Sequence, residues 1–281
     1  MPLSYDPNAR YELDVRDVQY REIDGEPLLG RLYRPRGEGP FPAFVAMHGG
    51  AWTRGDRLGH LSFVEPLAAS GIVVVSLDFR QAPAHPYPAS VRDVNYGVRW
   101  LKAHASDFNA DADTVAALGE SSGGHLAMLV GMLPRNLQYA SEPLGDGAGF
   151  DASLRYVICT WPILDPYARY LFAQETGRDD LVTRTEGYFP TRGAMQQGNP
   201  QMILERGERT ETPPVLILQG TADVNVTPEM QERFASAYRA AGGTCELHVF
   251  AGTAHGGWPS DQSDQGLDLI KAFIARQIIA A

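Results

Sequence analysis

Cysteine is nearly missing from this chain: Cys159 and Cys245 are the only two among 281 residues. Both fall in or beside apolar, strand-like runs far apart in sequence, where a buried free thiol is the ordinary outcome. A disulfide framework is therefore not expected, and a reducing compartment fits best. Basic charge is also short. With 24 Lys and Arg against 34 Asp and Glu, the formal net charge is −10, and no basic stripe is present to neutralise a phosphate backbone. That argues against a nucleic-acid partner. No run reaches the roughly 18 apolar residues of a membrane span, and Met1 to Tyr20 lacks the continuous apolar stretch of a secretory signal. The expected location is the cytoplasm. Metal-ligand spacings such as His-Glu-x-x-His and phosphate-cradling glycine loops are missing as well, so neither a metal nor a cofactor is expected. Fixed-period repeats and low-complexity segments are absent, and 44% hydrophobic with 21% charged residues is the composition of a folded globular chain.

What the chain does contain is a change of rhythm. Asp14 to Arg34 reads as two strands joined near Asp24-Gly25, an antiparallel edge that Pro35 to Pro42 interrupts. From Ala43 onward, apolar runs alternate with amphipathic helical stretches: Ala43 to Met47, Ile72 to Leu77, Thr114 to Leu118, Tyr156 to Thr160 and Val215 to Leu218. Near-continuous apolar strands separated by helices predict an α/β fold with a mostly parallel sheet covered on both faces. Between Ser90 and His104 the apolar points Val91, Val94, Val98 and Leu101 recur at helical spacing, so that stripe belongs to the core.

One stretch breaks the alternation. About fifty residues separate Trp161 from Val215, where a connection of roughly two to six is usual. The segment mixes aromatics with charges, which predicts a small helical cap at about residues 165–210, with Tyr167, Tyr170, Phe172 and Phe189 as candidates to line a pocket. Residues 134–153, rich in glycine and acidic groups, read as a plain loop. The whole chain, 1–281, is expected to be one domain carrying this insertion.

The chemistry concentrates in Gly119-Glu120-Ser121-Ser122-Gly123-Gly124, between an apolar strand-like run and a helix-like one. Strand, Gly-x-Ser-x-Gly turn and helix make a nucleophile elbow. The flanking glycines remove the Cβ atoms that would collide where strand and helix pack closely, so the serine can occupy a strained turn with its Oγ exposed. Ser121 is the serine in frame, because Ser122 would need glycine at position 120, where Glu120 stands. A serine hydroxyl needs a neighbouring imidazole, and the imidazole needs a carboxylate. In sheets carrying such an elbow the partners follow in the order serine, acid, histidine, each after a strand. Asp223 follows the run Val215 to Gly220, and His255 follows the strand expected over Cys245 to Phe250, with a helix from about Pro228 to Ala241 between them. An aspartate after a strand is commonly only a turn former; the joint order and placement assign Ser121, Asp223 and His255 as catalytic. Gly49 and Gly50, at the end of the run Ala43 to Met47, together with Ser122 supply the backbone N–H groups of an oxyanion hole. His48 is read as bracing that loop, and His60, His85, His104, His125 and His248 as surface, loop or packing residues.

His48-Gly49-Gly50, the stretch Asp78 to Ala89 and Gly119 to Gly124 together resemble the hormone-sensitive-lipase-like (type IV) esterases of the α/β-hydrolase superfamily, over about residues 40 to 275. The resemblance implies an α/β-hydrolase fold and cofactor-free hydrolysis of short to medium acyl esters. It also implies that Arg80-Gln81-Ala82-Pro83 is structural, bracing the oxyanion loop. Ala51 stands in place of the third glycine, the N-terminal segment is short for the family's helical lid, and Gly220-Thr221-Ala222-Asp223 departs from the usual Asp-Pro-Leu. Gly49-Gly50-Ala51-Trp52 with Gly55-Asp56 is similar to the branch containing kynurenine formamidases and polysaccharide-linked acyl esterases. The expected function is a serine carboxylic ester hydrolase acting on a small-molecule ester, with an arylformamidase or amidase and a catalytically silent binding protein as alternatives. The sequence leaves a homodimer open.

Overall fold

In the computed structural model, residues 5–59, 62–145 and 149–279 are described; His60 lies outside them. The chain opens with a hairpin of β1 (Leu13–Ile23) and β2 (Glu26–Pro35). Its turn residues Asp24 and Gly25 both have positive φ, 53° and 84°, as a two-residue Asp-Gly turn between antiparallel strands requires. There follow β3 (Ala43–Met47), α1 (Val64–Ala69), β4 (Val73–Leu77), α2 (Ala89–Ala103), β5 (Ala116–Glu120), α3 (Ser122–Met132) and β6 (Val157–Thr160). Helices α4 (Pro166–Glu175), α5 (Asp179–Tyr188), α6 (Arg192–Gln197) and α7 (Pro200–Glu205) fill the long connection. The chain ends with β7 (Val215–Gly220), α8 (Pro228–Ala240), β8 (Cys245–Phe250) and α9 (Ser260–Ile279).

The strands form one eight-stranded sheet in the order β1-β2-β4-β3-β5-β6-β7-β8. β1 and β2 pair antiparallel, β2 joins β4 antiparallel, and every pairing from β4 to β8 is parallel. The antiparallel edge and the parallel centre both follow the sequence pattern. Alternate residues of each strand enter opposite layers. Ala43, Val45 and Met47 of β3 pack with Val91, Val94 and Val98 of α2 and with Phe234 of α8, whereas Phe44 and Ala46 pack with Leu67 of α1 and with Ile270 and Phe273 of α9.

β5 begins two residues later than the apolar run suggests. Thr114 closes a short 3₁₀ turn, Ala112–Thr114, in which the Asp111 side chain accepts the Asp113 N–H. α3 begins at Ser122, directly at the elbow. Both cysteines are buried free thiols, as expected. Among the described residues no helix is long and apolar enough to cross a membrane. The chain leaves β3 toward one side of the sheet and β5 lies on the other, so the carboxyl ends of β3 and β5 border the switch point where ligands bind in open α/β sheets.

Candidate active site

Ser121 follows β5 with φ 51° and ψ −115°, a strained conformation for a residue with a side chain. Local sterics demand the surrounding glycines. A Cβ on Gly119 would lie 2.5 Å from the Gly123 carbonyl oxygen, and one on Gly123 would lie 2.1 Å from the Met47 carbonyl oxygen of the neighbouring strand. The turn directs the Ser121 hydroxyl to His255, whose Nε2 is 2.9 Å from Oγ, while His255 Nδ1 is 2.8 Å from Asp223 Oδ2. Three residues from the ends of β5, β7 and β8 thus form one hydrogen-bonded line.

Asp223 is built to stay charged. Its Oδ1 accepts the N–H groups of Asn225 and Val226 at 2.8 and 2.9 Å, and its Oδ2 accepts Gln219 Nε2 at 3.0 Å as well as His255. Burial alone would push this carboxyl up; the hydrogen bond and charge of His255, joined by the two backbone N–H groups, hold it below the usual carboxylate range. An ionised carboxylate only accepts, so Nδ1 of His255 carries the proton and Nε2 is left to accept from Ser121. Gln219, the next-to-last residue of β7, was not anticipated from sequence: a glutamine inside an apolar strand is the available signal.

Gly49 and Gly50 stand beside Ser121. A Cβ on Gly49 would sit 3.3 Å from Ser121 Cβ, and Gly50 has φ 110°. Among the described residues, the N–H groups of Gly49, Gly50 and Ser122 donate to no protein acceptor, as groups reserved for a ligand would. Ala51 and Trp52 continue the turn with φ 52° and 62°, so alanine at the third position is accommodated in the left-handed region. Several contacts hold this loop. His48 donates from Nδ1 to the Gly49 carbonyl at 2.7 Å and stacks on Phe79. The Trp52 N–H donates to Ser122 Oγ at 3.2 Å, and the Ala82 N–H donates to the Trp52 carbonyl at 3.0 Å. Arg80 is fastened by Asp93 of α2 at 2.9 and 3.0 Å, and Gln81 Nε2 donates to the Gly55 carbonyl at 2.6 Å.

His125 does more than fill space. It is fully buried, accepts Trp52 Nε1–H on Nδ1 at 3.0 Å and donates from Nε2 to the Gly198 carbonyl at 2.7 Å. Burial pushes its pKa down to about 4. This neutral imidazole ties the loop Gly49 to Trp52 to the insertion.

The profile of one protein family, BD-FAE, matches residues 31–238, from within β2 to α8. The chain belongs to the BD-FAE family. Its fold is that of the α/β hydrolases, and the likeness to type IV esterases extends to individual proteins. Carboxylic ester hydrolase LipN of Mycobacterium tuberculosis is 30% identical over 265 residues, 89% of this chain and 66% of LipN. Esterase LipC of the same organism is 31% identical over 204 residues, 72% of this chain and 49% of LipC. The chain therefore spans about half to two thirds of the length of these relatives. Butyrate-bound esterase 2 of Thermogutta terrifontis superposes with a TM-score of 0.73 at 27% identity, over 95% of this chain and 94% of that one.

In this BD-FAE chain the cleft beside Ser121 has a volume of about 230 Å³, and the insertion lines it with Arg169, Leu181 and Arg184. The four aromatics expected there are elsewhere. Phe189 packs edge-on against Trp52 next to Tyr188, whose ring stacks on Trp52 at 4.7 Å, and Tyr170 donates its hydroxyl to Glu186; Tyr167 and Phe172 do not border the cleft either. The aromatics pack the insertion onto the body, and an arginine takes the inward position because Thr185 and Asn225 hydrogen-bond it. A larger cavity of about 560 Å³ lies beside Met132, Arg135 and Glu211, and its lining holds neither a serine nor a histidine.

Proposed function

We propose that this chain is a serine carboxylic ester hydrolase that turns over short-acyl esters through an acyl-enzyme. The observation that carries the reading is the unbroken line Ser121 Oγ, His255 Nε2, His255 Nδ1–H, Asp223 Oδ2, at 2.9 and 2.8 Å. Ser121 gives its proton to His255 as Oγ attacks the acyl carbon, and the oxyanion settles against the N–H groups of Gly49, Gly50 and Ser122. Asp223 stabilises the imidazolium, which then protonates the departing alkoxide. A water, deprotonated by His255, cleaves the acyl-enzyme and releases the acid. A cleft of about 230 Å³ suits a short acyl group better than a long one. The names of LipN and LipC and the butyrate in esterase 2 support the same substrate class. In this reading α4 and α5 act as a cap whose Leu181 limits the acyl chain.

Esterase 2 is phosphorylated by paraoxon, which suggests the test. Paraoxon should add one diethylphosphoryl group to Ser121, located by peptide mass spectrometry. Ser121→Ala should abolish labelling and lower p-nitrophenyl butyrate turnover by roughly four to six orders of magnitude. Ser122→Ala keeps the N–H and loses only the hydroxyl that accepts from Trp52, so its effect should be far milder. If Ser122→Ala were the more damaging, another residue would have to be the nucleophile.

A further inference from the structure

The cleft of this acidic chain is lined by three arginines, Arg54, Arg169 and Arg184, and among the described residues none of them is ion-paired with a carboxylate. Arg169 is fully buried. Its Nε donates to Asn225 Oδ1 and its Nη1 to Thr185 Oγ1, each at 2.9 Å, and its Nη2 is buried without a partner. Arg184 donates to Thr53 Oγ1 at 2.8 Å. Arginines elsewhere in the chain show what is missing, since Arg21, Arg57 and Arg80 all bind carboxylates. A buried guanidinium held only by neutral acceptors loses hydration that those acceptors do not replace, and a ligand that supplies the counter-charge recovers part of it. The acidic groups nearby do not fill that role. Asp223 is engaged by His255, Asp180 acts on Arg169 only at a distance, and Glu120, which also lines the cleft, forms no ion pair with the three arginines and accepts the Ser62 N–H.

We propose that the ester this site hydrolyses carries a carboxylate, bound by Arg184 and Arg54 above the buried charge of Arg169, so that the preferred substrates are small anionic esters. The inference rests on the esterase reading. The carboxylate can belong to the acyl part, as in a half-ester of a dicarboxylic acid, or to the alcohol part.

Two matched pairs separate these sources: the monoethyl glutarate anion against neutral ethyl glutaramate, and 4-acetoxybenzoate against 4-acetoxybenzamide. In one pair the charged member should have a kcat/KM about tenfold or more above its isostere, the scale of a charge-assisted hydrogen bond. Arg184→Gln and Arg54→Gln should each lower that ratio at least about threefold, and about 0.5 M salt should compress it in the parent chain. Equal rates within both pairs, or ratios untouched by both substitutions, would overturn the proposal. Calorimetry on Ser121→Ala gives a readout without turnover: glutarate should bind about tenfold or more tighter than glutaramide, or 4-hydroxybenzoate than 4-hydroxybenzamide, and equal binding within both pairs counts against the proposal. Failure of p-nitrophenyl butyrate hydrolysis and of paraoxon labelling would instead count against the esterase reading, while these two titrations still decide the carboxylate site.

Discussion

At the scale of single residues, the site depends on a few atoms that have no freedom to move. Gly123 lies under β3 so tightly that a methyl group would meet the Met47 carbonyl oxygen at 2.1 Å, and Gly123→Ala should displace the elbow and remove activity even where the chain still folds. Asp223 contacts His255 at 2.8 Å and does not line the cleft, so in the proposed mechanism it acts on the imidazole and not on the substrate. Asp223→Asn should therefore lower kcat by about a thousandfold or more and leave KM nearly unchanged, measured with p-nitrophenyl butyrate. Gln219→Leu removes one of the donors to Asp223 Oδ2, and a drop of roughly tenfold in kcat is expected. A rate for Asp223→Asn within about threefold of the parent would mean that another acid orients His255.

At the scale of elements, the insertion and the oxyanion loop are one packed unit. Trp52 sits between the stacked ring of Tyr188 on α5 and the imidazole of His125 on α3, with Phe189 edge-on to it. Leu181 lies on the same helix but borders the cleft. Two substitutions on α5 should therefore act differently. Leu181→Ala is expected to shift kcat/KM from butyrate toward octanoate p-nitrophenyl esters by about tenfold, in line with roughly 1 to 3 kcal/mol per methylene-scale change in a pocket. Tyr188→Ala is expected to reduce rates at every chain length and to lower Tm, since removing a buried aromatic costs about 3 to 5 kcal/mol. Unaltered chain-length preference in Leu181→Ala would remove the insertion from the acyl pocket.

At the scale of the whole molecule, half-buried Glu120 and fully buried His125 give stability opposite slopes with pH. The folded state holds Glu120 up near about 7, above the unfolded value near 4.5, so its contribution is complete below about pH 4.5 and is lost as pH rises through about 7. His125 is held down near about 4, so its contribution is complete above about pH 6.5 and is lost as pH falls through about 4. Asp223, held below its usual range, adds to the acid-side loss. Thermal unfolding should show Glu120→Gln more stable than the parent at pH 8, by on the order of 2 kcal/mol, and little different at pH 4. A gain of the same size at both pH values would point to a packing effect instead.

The sequence by itself determined the sheet, the elbow and the order of the three catalytic candidates. Each depends on neighbours in the chain: apolar runs make strands, glycines at 119 and 123 allow the turn, and a loop after a parallel strand emerges at the same edge as the others. Only the tertiary structure decided that the Gln219 amide lies against Asp223, that His125 joins Trp52 to Gly198, and that Arg169 turns inward while Tyr167 and Phe172 stay away from the cleft. The aromatic-rich insertion predicted an apolar lining, yet Tyr188 and Phe189 pack on Trp52, Tyr170 bonds Glu186, and guanidinium groups line the cleft beside Ser121. Which face of a short polar helix turns inward depends on the surface that receives it, here the oxyanion loop and the segment after β7. That surface exists only after segments far apart in sequence have folded together.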